Sequence, residues 1–305
     1  MTVAGLAAAR EIAKDIKLSH SVFALPFALL GAFVALPQGP IDWRALSLSA
    51  LLVVGCMVSA RTAAMVANRL LDRGIDARNP RTVSRALPAG RVAVWQVRVA
   101  LFAASAAFVM LCGMFGVLQN NWWPLVLALP VLFWICSYGL FKRFTMLCHV
   151  WLGASLAMSP VAAAIAVRSA AVFEPGPWLL AGAVLFWVAG FDVLYAMQDV
   201  EVDVRDGLHS MPARMGVRRA NWASRAMHVL SVLLLVAFWR AEPALCSGVG
   251  FAAAIALAAV VIASEHVLLA RAGAVGIAKH FTTLNGIVSL ALGGAGIASI
   301  IAARG

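Results

Sequence analysis

The sequence predicts an all-α polytopic membrane protein with nine transmembrane helices, and three observations support that fold class. Hydrophobic residues make up 63% of the 305 positions and charged residues only 12%, with a mean hydropathy of +0.92. The charges are grouped, which leaves uncharged stretches close to the ~20 apolar residues that a helix needs to cross the hydrocarbon layer. These stretches are rich in Ala and Leu and lack period-two alternation, so helices are predicted rather than strands.

The apolar stretches predict nine spans within a single membrane domain covering residues 1–305, and the seventh span is the least apolar. The spans are 18–36, 45–67, 92–117, 122–138, 145–167, 178–197, 222–239, 247–269 and 281–302. Residues 1–17 carry several charges and no small-residue cleavage site. This segment is therefore predicted to be an amphipathic helix on the membrane surface rather than a signal peptide.

The basic residues are distributed unevenly between the two sides of the membrane. With nine spans, 19 of the 24 Lys and Arg residues fall on the side of the N-terminus and only four on the other side. Cytoplasmic loops carry an excess of Lys and Arg, so the N-terminus and the two longest polar loops, 68–91 and 199–219, are predicted to be cytoplasmic. The net charge of +11 is explained by this topology, and no nucleic-acid partner is predicted.

Each of the two polar loops carries aspartates at four-residue spacing. The first loop reads NRLLDRGIDARNPRT, and Asn68, Asp72 and Asp76 share one face if the second helix continues through them. The second loop reads YAMQDVEVDVRDG and contains Asp199 and Asp203. Carboxylate oxygens suit Mg²⁺, which is usually held by one or two carboxylates together with a substrate phosphate.

Two interpretations of these acids are open. In the first, they balance nearby arginines in solvated loops, which is the usual explanation for a single pair. In the second, they bind metal, and the neighbouring Arg69, Arg73 and Lys142 pair with a polyanion that the metal bridges. The repetition of the aspartate pair at the same membrane face favours the second interpretation.

Four segments resemble the UbiA family of intramembrane aromatic prenyltransferases, in particular its 4-hydroxybenzoate polyprenyltransferase-like branch. The first aspartate segment, with its continuation IDARNPRTVSRALPAG, is similar to the first motif of that family, and YAMQDVEVD is similar to the second. The first span contains SHSVFALPFALLGAF, and YGLFKRFT follows the fourth span; both resemble the family. The resemblance implies nine helices around a central cavity that opens laterally to lipid, in a bacterial cytoplasmic (inner) membrane.

The resemblance also implies roles for individual residues. The metal ligands and catalytic aspartates would lie in the two motifs, with one Mg²⁺ held by Asn68, Asp72 and Asp76 and a second by Asp199 and Asp203. Lys142 would neutralise the diphosphate of an isoprenoid substrate, and Tyr138, one helical turn earlier, would line the cavity near the allylic carbon. Tyr195, which precedes the second motif, is expected to contact substrate as well.

Two charged residues inside the spans are further substrate-binding candidates, because ionisable groups within a membrane are usually functional. Arg61 lies seven residues before Asn68, so it is expected in the same cavity as a cation for the aromatic carboxylate or the diphosphate. Asp192 has the same relation to Asp199 and either orients the acceptor or pairs with Arg61. His20 near the start of the first span is expected to be an interfacial histidine.

These features predict transfer of a polyprenyl group from polyprenyl diphosphate to 4-hydroxybenzoate, at the carbon ortho to the hydroxyl, with Mg²⁺ assisting departure of diphosphate. The product would be a ubiquinone precursor. A naphthoate or benzoate acceptor on a menaquinone route is the alternative within the same class. A secondary transporter is the alternative from another class, although transporters place their polar site near the bilayer midplane rather than at one face.

Overall fold

The chain folds into a bundle of long helices. The computed structural model describes residues 3–16 and 23–304. Within those ranges all regular structure is helical, and the α-helices are α1 (Val3–Asp15), α2 (Leu25–Val34), α3 (Trp43–Asp76), α4 (Val94–Gln119), α5 (Trp123–Phe141), α6 (Cys148–Val167), α7 (Pro175–Ala196), α8 (Val200–Arg205), α9 (Met211–Met215), α10 (Val217–Ala241), α11 (Pro243–Cys246) and α12 (Gly250–Ala302).

The predicted fold class, an all-α polytopic membrane protein, is confirmed. Eight helical segments in the described ranges are long and apolar enough to cross a membrane, and they correspond to the second to ninth predicted spans. The shorter α2 covers the later part of the first predicted span, whose residues 18–22 lie outside the described residues. The last two spans are joined in α12, which is interrupted at Gly273, a glycine with a positive φ of 67°.

Both polar loops predicted from the sequence are more helical than expected, and their predicted bounds are wrong. Helix α3 begins at Trp43, after Asp42 caps its first turn, and continues through the first aspartate motif to Asp76. The second motif begins in a 3₁₀ turn, Met197–Asp199, and continues into α8. Basic side chains from other parts of the chain pair with acids in both motifs. Because their charges are paired, these acids can be buried on helices instead of being exposed in solvated loops.

Small residues let the central helices approach closely. A Cβ atom added to Gly153 of α6 would lie 2.3 Å from the backbone oxygen of Leu185 in α7, and one added to Gly31 of α2 would lie 2.3 Å from the oxygen of Pro160 in α6. Such contacts between backbones are typical of helices that pack within a membrane. On the outside of α4 and α5, by contrast, Phe102 and Phe133 are 75% and 78% exposed, as expected for side chains that face lipid.

Replacing Gly153 by Ala is expected to lower the free energy of unfolding by about 1–3 kcal/mol, because the new methyl group overpacks the α6–α7 contact. The matched control is Gly113→Ala in α4, where an added Cβ would come no closer than 4.0 Å to a neighbouring side chain. The measurement is the midpoint of thermal unfolding in detergent. Equal midpoints for the two variants would contradict the close packing of α6 on α7.

Candidate active site

A cavity of about 1350 Å³ lies inside the bundle and is polar at one end and apolar along most of its length. The polar end is lined by both aspartate motifs and by the segment that follows α3. The apolar part includes Phe115, Trp134 and Trp178, and it follows α6 from His149 to Ala166. At 1.5 Å per residue this stretch of α6 is about 25 Å long. The cavity can therefore hold a charged group at its mouth and a long apolar chain behind it.

The first motif forms a polar face on the last turns of α3. Asn68, Asp72 and Asp76 are 9%, 2% and 4% exposed, so the helix buries side chains that the sequence placed in a loop. Lys142, at the end of α5, donates a 2.6 Å hydrogen bond to Asp72 Oδ2. Arg85, in the segment after α3, contacts both carboxylate oxygens of Asp76 at 2.8 Å. Buried acids thus receive cations from two other parts of the chain.

The second motif is paired in the same way. Arg81 donates to both oxygens of Asp199, at 2.9 and 2.5 Å, and Asn79 Nδ2 donates to Oδ1 at 3.0 Å. The Arg81 guanidinium also lies over the Tyr195 ring, 5.5 Å from its centroid. Ser210 donates a 2.6 Å hydrogen bond to Asp203 Oδ2. The segment after the first motif therefore reaches across the mouth to the second motif.

A further ion pair joins the two segments at the surface. Arg78 Nε lies 3.0 Å from Asp206 Oδ2, and Arg205 donates both to Asp206 and to the Arg78 carbonyl oxygen. Hydrogen bonds from Arg205 and Arg78 hold the pKa of the Asp206 carboxyl below its usual value. The prediction that the two polar segments converge at one mouth is confirmed by these contacts.

The three basic residues predicted near the first motif are placed differently. Lys142 donates a hydrogen bond to Asp72, and Arg69 lines the cavity, with its Nε 3.9 Å from Asp15 Oδ2 at the end of the N-terminal helix. Arg73 is exposed and does not line the cavity. Its position next to Asp72 places its side chain on a different face of α3, so contact of Arg73 with substrate is not supported.

At the mouth, the residues that sequence reasoning missed are Asn79, Arg81 and Arg85. All three lie in the stretch IDARNPRTVSRALPAG, whose basic side chains were treated only as solvated neighbours of the motif. One available signal was the four-residue spacing of Arg81 and Arg85, which repeats the spacing of the aspartates. The contacts across the mouth depend on how the segment folds back after α3, and the sequence did not indicate that path.

A second polar group lies deeper in the cavity, below the motifs. Arg61, Tyr138 and Asp192 all line the cavity, and Arg61 and Asp192 are both within electrostatic range of the Tyr138 hydroxyl. Asp192 Oδ2 lies 2.7 Å from Nδ1 of His149, a residue that the sequence analysis did not consider. His20, the other intramembrane candidate, lies outside the described residues.

The chemistry of the mouth suits a hard divalent cation. Asp72 Oδ1 is buried and has no hydrogen-bond partner among the described residues, so it is available to a positive ion. In the described part of the chain no three His, Cys, Asp or Glu side chains converge closely enough to hold a metal on their own. This arrangement fits Mg²⁺, which keeps part of its coordination for water and substrate phosphate.

The comparisons with known proteins assign the class of protein. The model of the UbiA prenyltransferase family matches residues 24–297, and the chain belongs to this family. It is 31% identical over 209 residues to 4-hydroxybenzoate octaprenyltransferase from Xanthomonas euvesicatoria, covering 67% of this chain and 64% of that protein. It is 33% identical over 156 residues to the enzyme of the same name from Nitrosomonas europaea, covering 51% of each.

The matched region thus spans between half and two thirds of the length of these curated relatives. Solved structures cover more of the chain. The apo structure of a UbiA homologue from Aeropyrum pernix has a TM-score of 0.78 and 32% identity, covering 91% of this chain and 97% of that one. A UbiA homologue from Archaeoglobus fulgidus, bound to GPP and Mg²⁺, shares the fold with a TM-score of 0.64, 17% identity, and coverage of 96% and 99%.

Replacing Lys142 by Met is expected to lower the free energy of unfolding by about 1–3 kcal/mol, because the Asp72 carboxylate stays buried without its cation. Adding Asp72→Asn to Lys142→Met should recover much of that loss, since the uncompensated charge is removed. The exposed Arg73→Met is the matched control and should leave stability unchanged. The measurement is a double-mutant cycle on thermal unfolding in detergent, and strictly additive effects would contradict the pairing of Lys142 with Asp72.

Proposed function

We propose that this protein transfers a polyprenyl group from polyprenyl diphosphate to 4-hydroxybenzoate, forming a carbon–carbon bond ortho to the hydroxyl. The observation that carries the proposal is the mouth of the cavity, where two aspartate motifs and three basic side chains surround one polar space above a long apolar channel. The curated relatives named above are 4-hydroxybenzoate octaprenyltransferases, which supports the same substrates here.

The mouth is the proposed site of the diphosphate. Asn68, Asp72 and Asp76 would hold one Mg²⁺, and Asp199 and Asp203 a second. Metal bound there would neutralise the negative charge that builds on the departing diphosphate. The UbiA homologue structures with GPP and Mg²⁺, and with Cd²⁺, support the use of a divalent metal in this family.

Basic side chains of the chain itself would complete the diphosphate site. Lys142, Arg81 and Arg85 now pair with Asp72, Asp199 and Asp76. With metal at the aspartates, these basic side chains would contact phosphate oxygens, and the arginines could do so with two parallel hydrogen bonds. The same side chains that pair with the aspartates would thus neutralise the substrate.

The inner part of the cavity is the proposed site of bond formation. Its apolar walls exclude water, which would otherwise quench the allylic cation left by ionisation. Tyr138 lies between the mouth and the deeper charged residues, with Arg61 placed to pair with the carboxylate of the acceptor. Loss of the ring proton from the cyclohexadienyl intermediate needs no strong base, because that intermediate is very acidic.

The proposed orientation places the mouth in the cytoplasm. Residues 1–17, 68–98 and 199–225, which include both motifs, contain 15 of the 24 Lys and Arg residues, and such segments are retained on the cytoplasmic side. We infer a bacterial cytoplasmic membrane as the location, with lipid around the bundle and the prenyl chain within it. The two substrates thus reach the site from different phases, the aromatic acid from water and the prenyl donor from the membrane.

Activity should require divalent metal and both motifs. The purified protein is expected to join radiolabelled polyprenyl diphosphate to 4-hydroxybenzoate with Mg²⁺ and to lose activity in EDTA. Asp72→Asn and Asp199→Asn should each lower kcat/KM by about 100-fold or more, the equivalent of several kcal/mol of leaving-group stabilisation. The matched control is Glu201→Gln, an exposed acid between the second-motif aspartates that does not line the cavity.

Activity that persists in EDTA, or equal losses in the two aspartate variants and Glu201→Gln, would contradict the role of the motifs. The same assay separates the acceptors when 4-hydroxybenzoate is compared with a hydroxynaphthoate. Turnover of the naphthoate alone would assign the menaquinone-type alternative while leaving the prenyl-transfer chemistry intact. Failure of every acceptor with Mg²⁺ present would contradict the proposed class of reaction.

A further inference from the structure

His149 occupies a buried position between three elements of the bundle. It lies in the first turn of α6 and is 3% exposed. Its Nδ1 is 2.7 Å from Asp192 Oδ2 in α7, and its Nε2 is 3.2 Å from the backbone nitrogen of Met211, the first residue of α9. Both ring nitrogens therefore make hydrogen bonds. Nδ1 contacts a side chain that lines the cavity, and Nε2 contacts the backbone of the segment after the second motif.

These two contacts determine which ring nitrogen carries the proton. The Met211 N–H is a donor, so His149 Nε2 must present its lone pair to accept this hydrogen bond. The remaining nitrogen, Nδ1, then carries the hydrogen and donates it to Asp192. A doubly protonated ring would set its Nε2–H against the Met211 N–H, which places two donors face to face. The geometry selects neutral His149 beside an ionised Asp192.

Asp192 is held by this contact but remains accessible to the cavity. Its side chain is 27% exposed, whereas that of His149 is 4% exposed. Oδ2 contacts His149, and among the described residues Oδ1 makes no hydrogen bond. A fixed acceptor oxygen therefore lies in the wall of the same cavity that Arg61 lines, and both side chains are within electrostatic range of the Tyr138 hydroxyl.

We propose that His149 is a positioning residue that fixes Asp192 as the hydrogen-bond acceptor for the ring hydroxyl of the aromatic substrate. The inference rests on the proposed function and adds to it the means of recognising the hydroxyl end of the acceptor. Arg61 takes the carboxylate and Asp192 the hydroxyl, so the ring is held at both ends. A hydrogen bond from the phenol to an ionised carboxylate also increases the electron density at the ortho carbon.

Contacts of residues 209–211 connect this acceptor site to the diphosphate site. Three successive residues of the chain are involved: His209 N–H donates to the Lys142 carbonyl oxygen at 2.7 Å, Ser210 donates to Asp203, and Met211 N–H donates to His149. Residues 209–211 therefore contact the backbone of Lys142, the side chain of Asp203 in the second motif, and the ring of His149, which holds Asp192. His149, in the first turn of α6, thus lies between the acceptor site and the diphosphate site.

The test compares two replacements of His149 that differ in hydrogen bonding. Gln can donate its amide N–H to Asp192 and accept from Met211 through its carbonyl oxygen, whereas Leu can do neither. His149→Leu is expected to weaken binding of 4-hydroxybenzoate by about 10- to 100-fold, and His149→Gln to restore most of the affinity. His209→Leu is the matched control, because the hydrogen bond to Lys142 uses only the His209 backbone N–H and the His209 ring does not line the cavity. Affinity is measured by calorimetry in detergent.

Benzoate, which lacks the hydroxyl, distinguishes positioning from a general structural defect. The His149→Leu variant and the unaltered protein should bind benzoate equally, because its carboxylate does not depend on Asp192. Equal weakening for benzoate and 4-hydroxybenzoate, no weakening for either, or no rescue by Gln would overturn the role of His149. Because binding is measured without turnover, an unaltered protein that binds 4-hydroxybenzoate but fails to prenylate it would contradict the proposed function alone.

Discussion

Compensation of buried negative charge at the mouth of the cavity is the constraint on which the rest of this structure depends. Asp72 and Asp76 are nearly inaccessible to solvent, and isolating carboxylates in this way costs several kcal/mol for each unless a cation is supplied. Lys142 and Arg85 supply those cations from two different parts of the chain. The ends of α3 and α5 and the segment after α3 are thereby held around one space.

The pairing of Arg81 with Asp199 extends the same principle across the mouth. It brings the segment after the first motif against the second motif, and the surface pair of Arg78 and Asp206 reinforces the contact. The acids and basic side chains of this site are paired with one another, so their charges largely cancel. A metal-bound diphosphate carries both signs of charge. Its metal could take the place of the basic side chains beside the aspartates, and its phosphates could take the place of the aspartates beside the basic side chains.

The sequence predicted those parts of the molecule that follow from local periodicity. Eight of the nine spans correspond to long apolar helices, because a stretch of about twenty apolar residues has few other stable structures in a membrane. The shared face of Asn68, Asp72 and Asp76 followed from their four-residue spacing, once α3 continued through them. Arg73 was wrongly grouped with them because its proximity along the chain was given more weight than its direction on the helix.

What the sequence did not predict depends on contacts between distant segments. Arg81 and Arg85 repeat the four-residue spacing of the aspartates, but their partners are fixed by a turn after α3 that no local signal specifies. His149 lies at the start of an apolar helix, where a single histidine has no evident partner in the sequence. Its role became visible only when α7 and α9 were seen to place a carboxylate and a backbone N–H against its two nitrogens.

Under the proposed function, the aspartates that pair with basic side chains at the mouth would be the metal ligands of the substrate complex. The most direct measurement is a crystal structure with Mn²⁺ and a non-hydrolysable prenyl thiodiphosphate, in which the anomalous scattering of manganese locates the metal ions. We expect one manganese peak at Asn68, Asp72 and Asp76, another at Asp199 and Asp203, and release of Arg81 from Asp199 toward phosphate. A bound thiodiphosphate with no manganese at these acids, and with Arg81 still on Asp199, would contradict it.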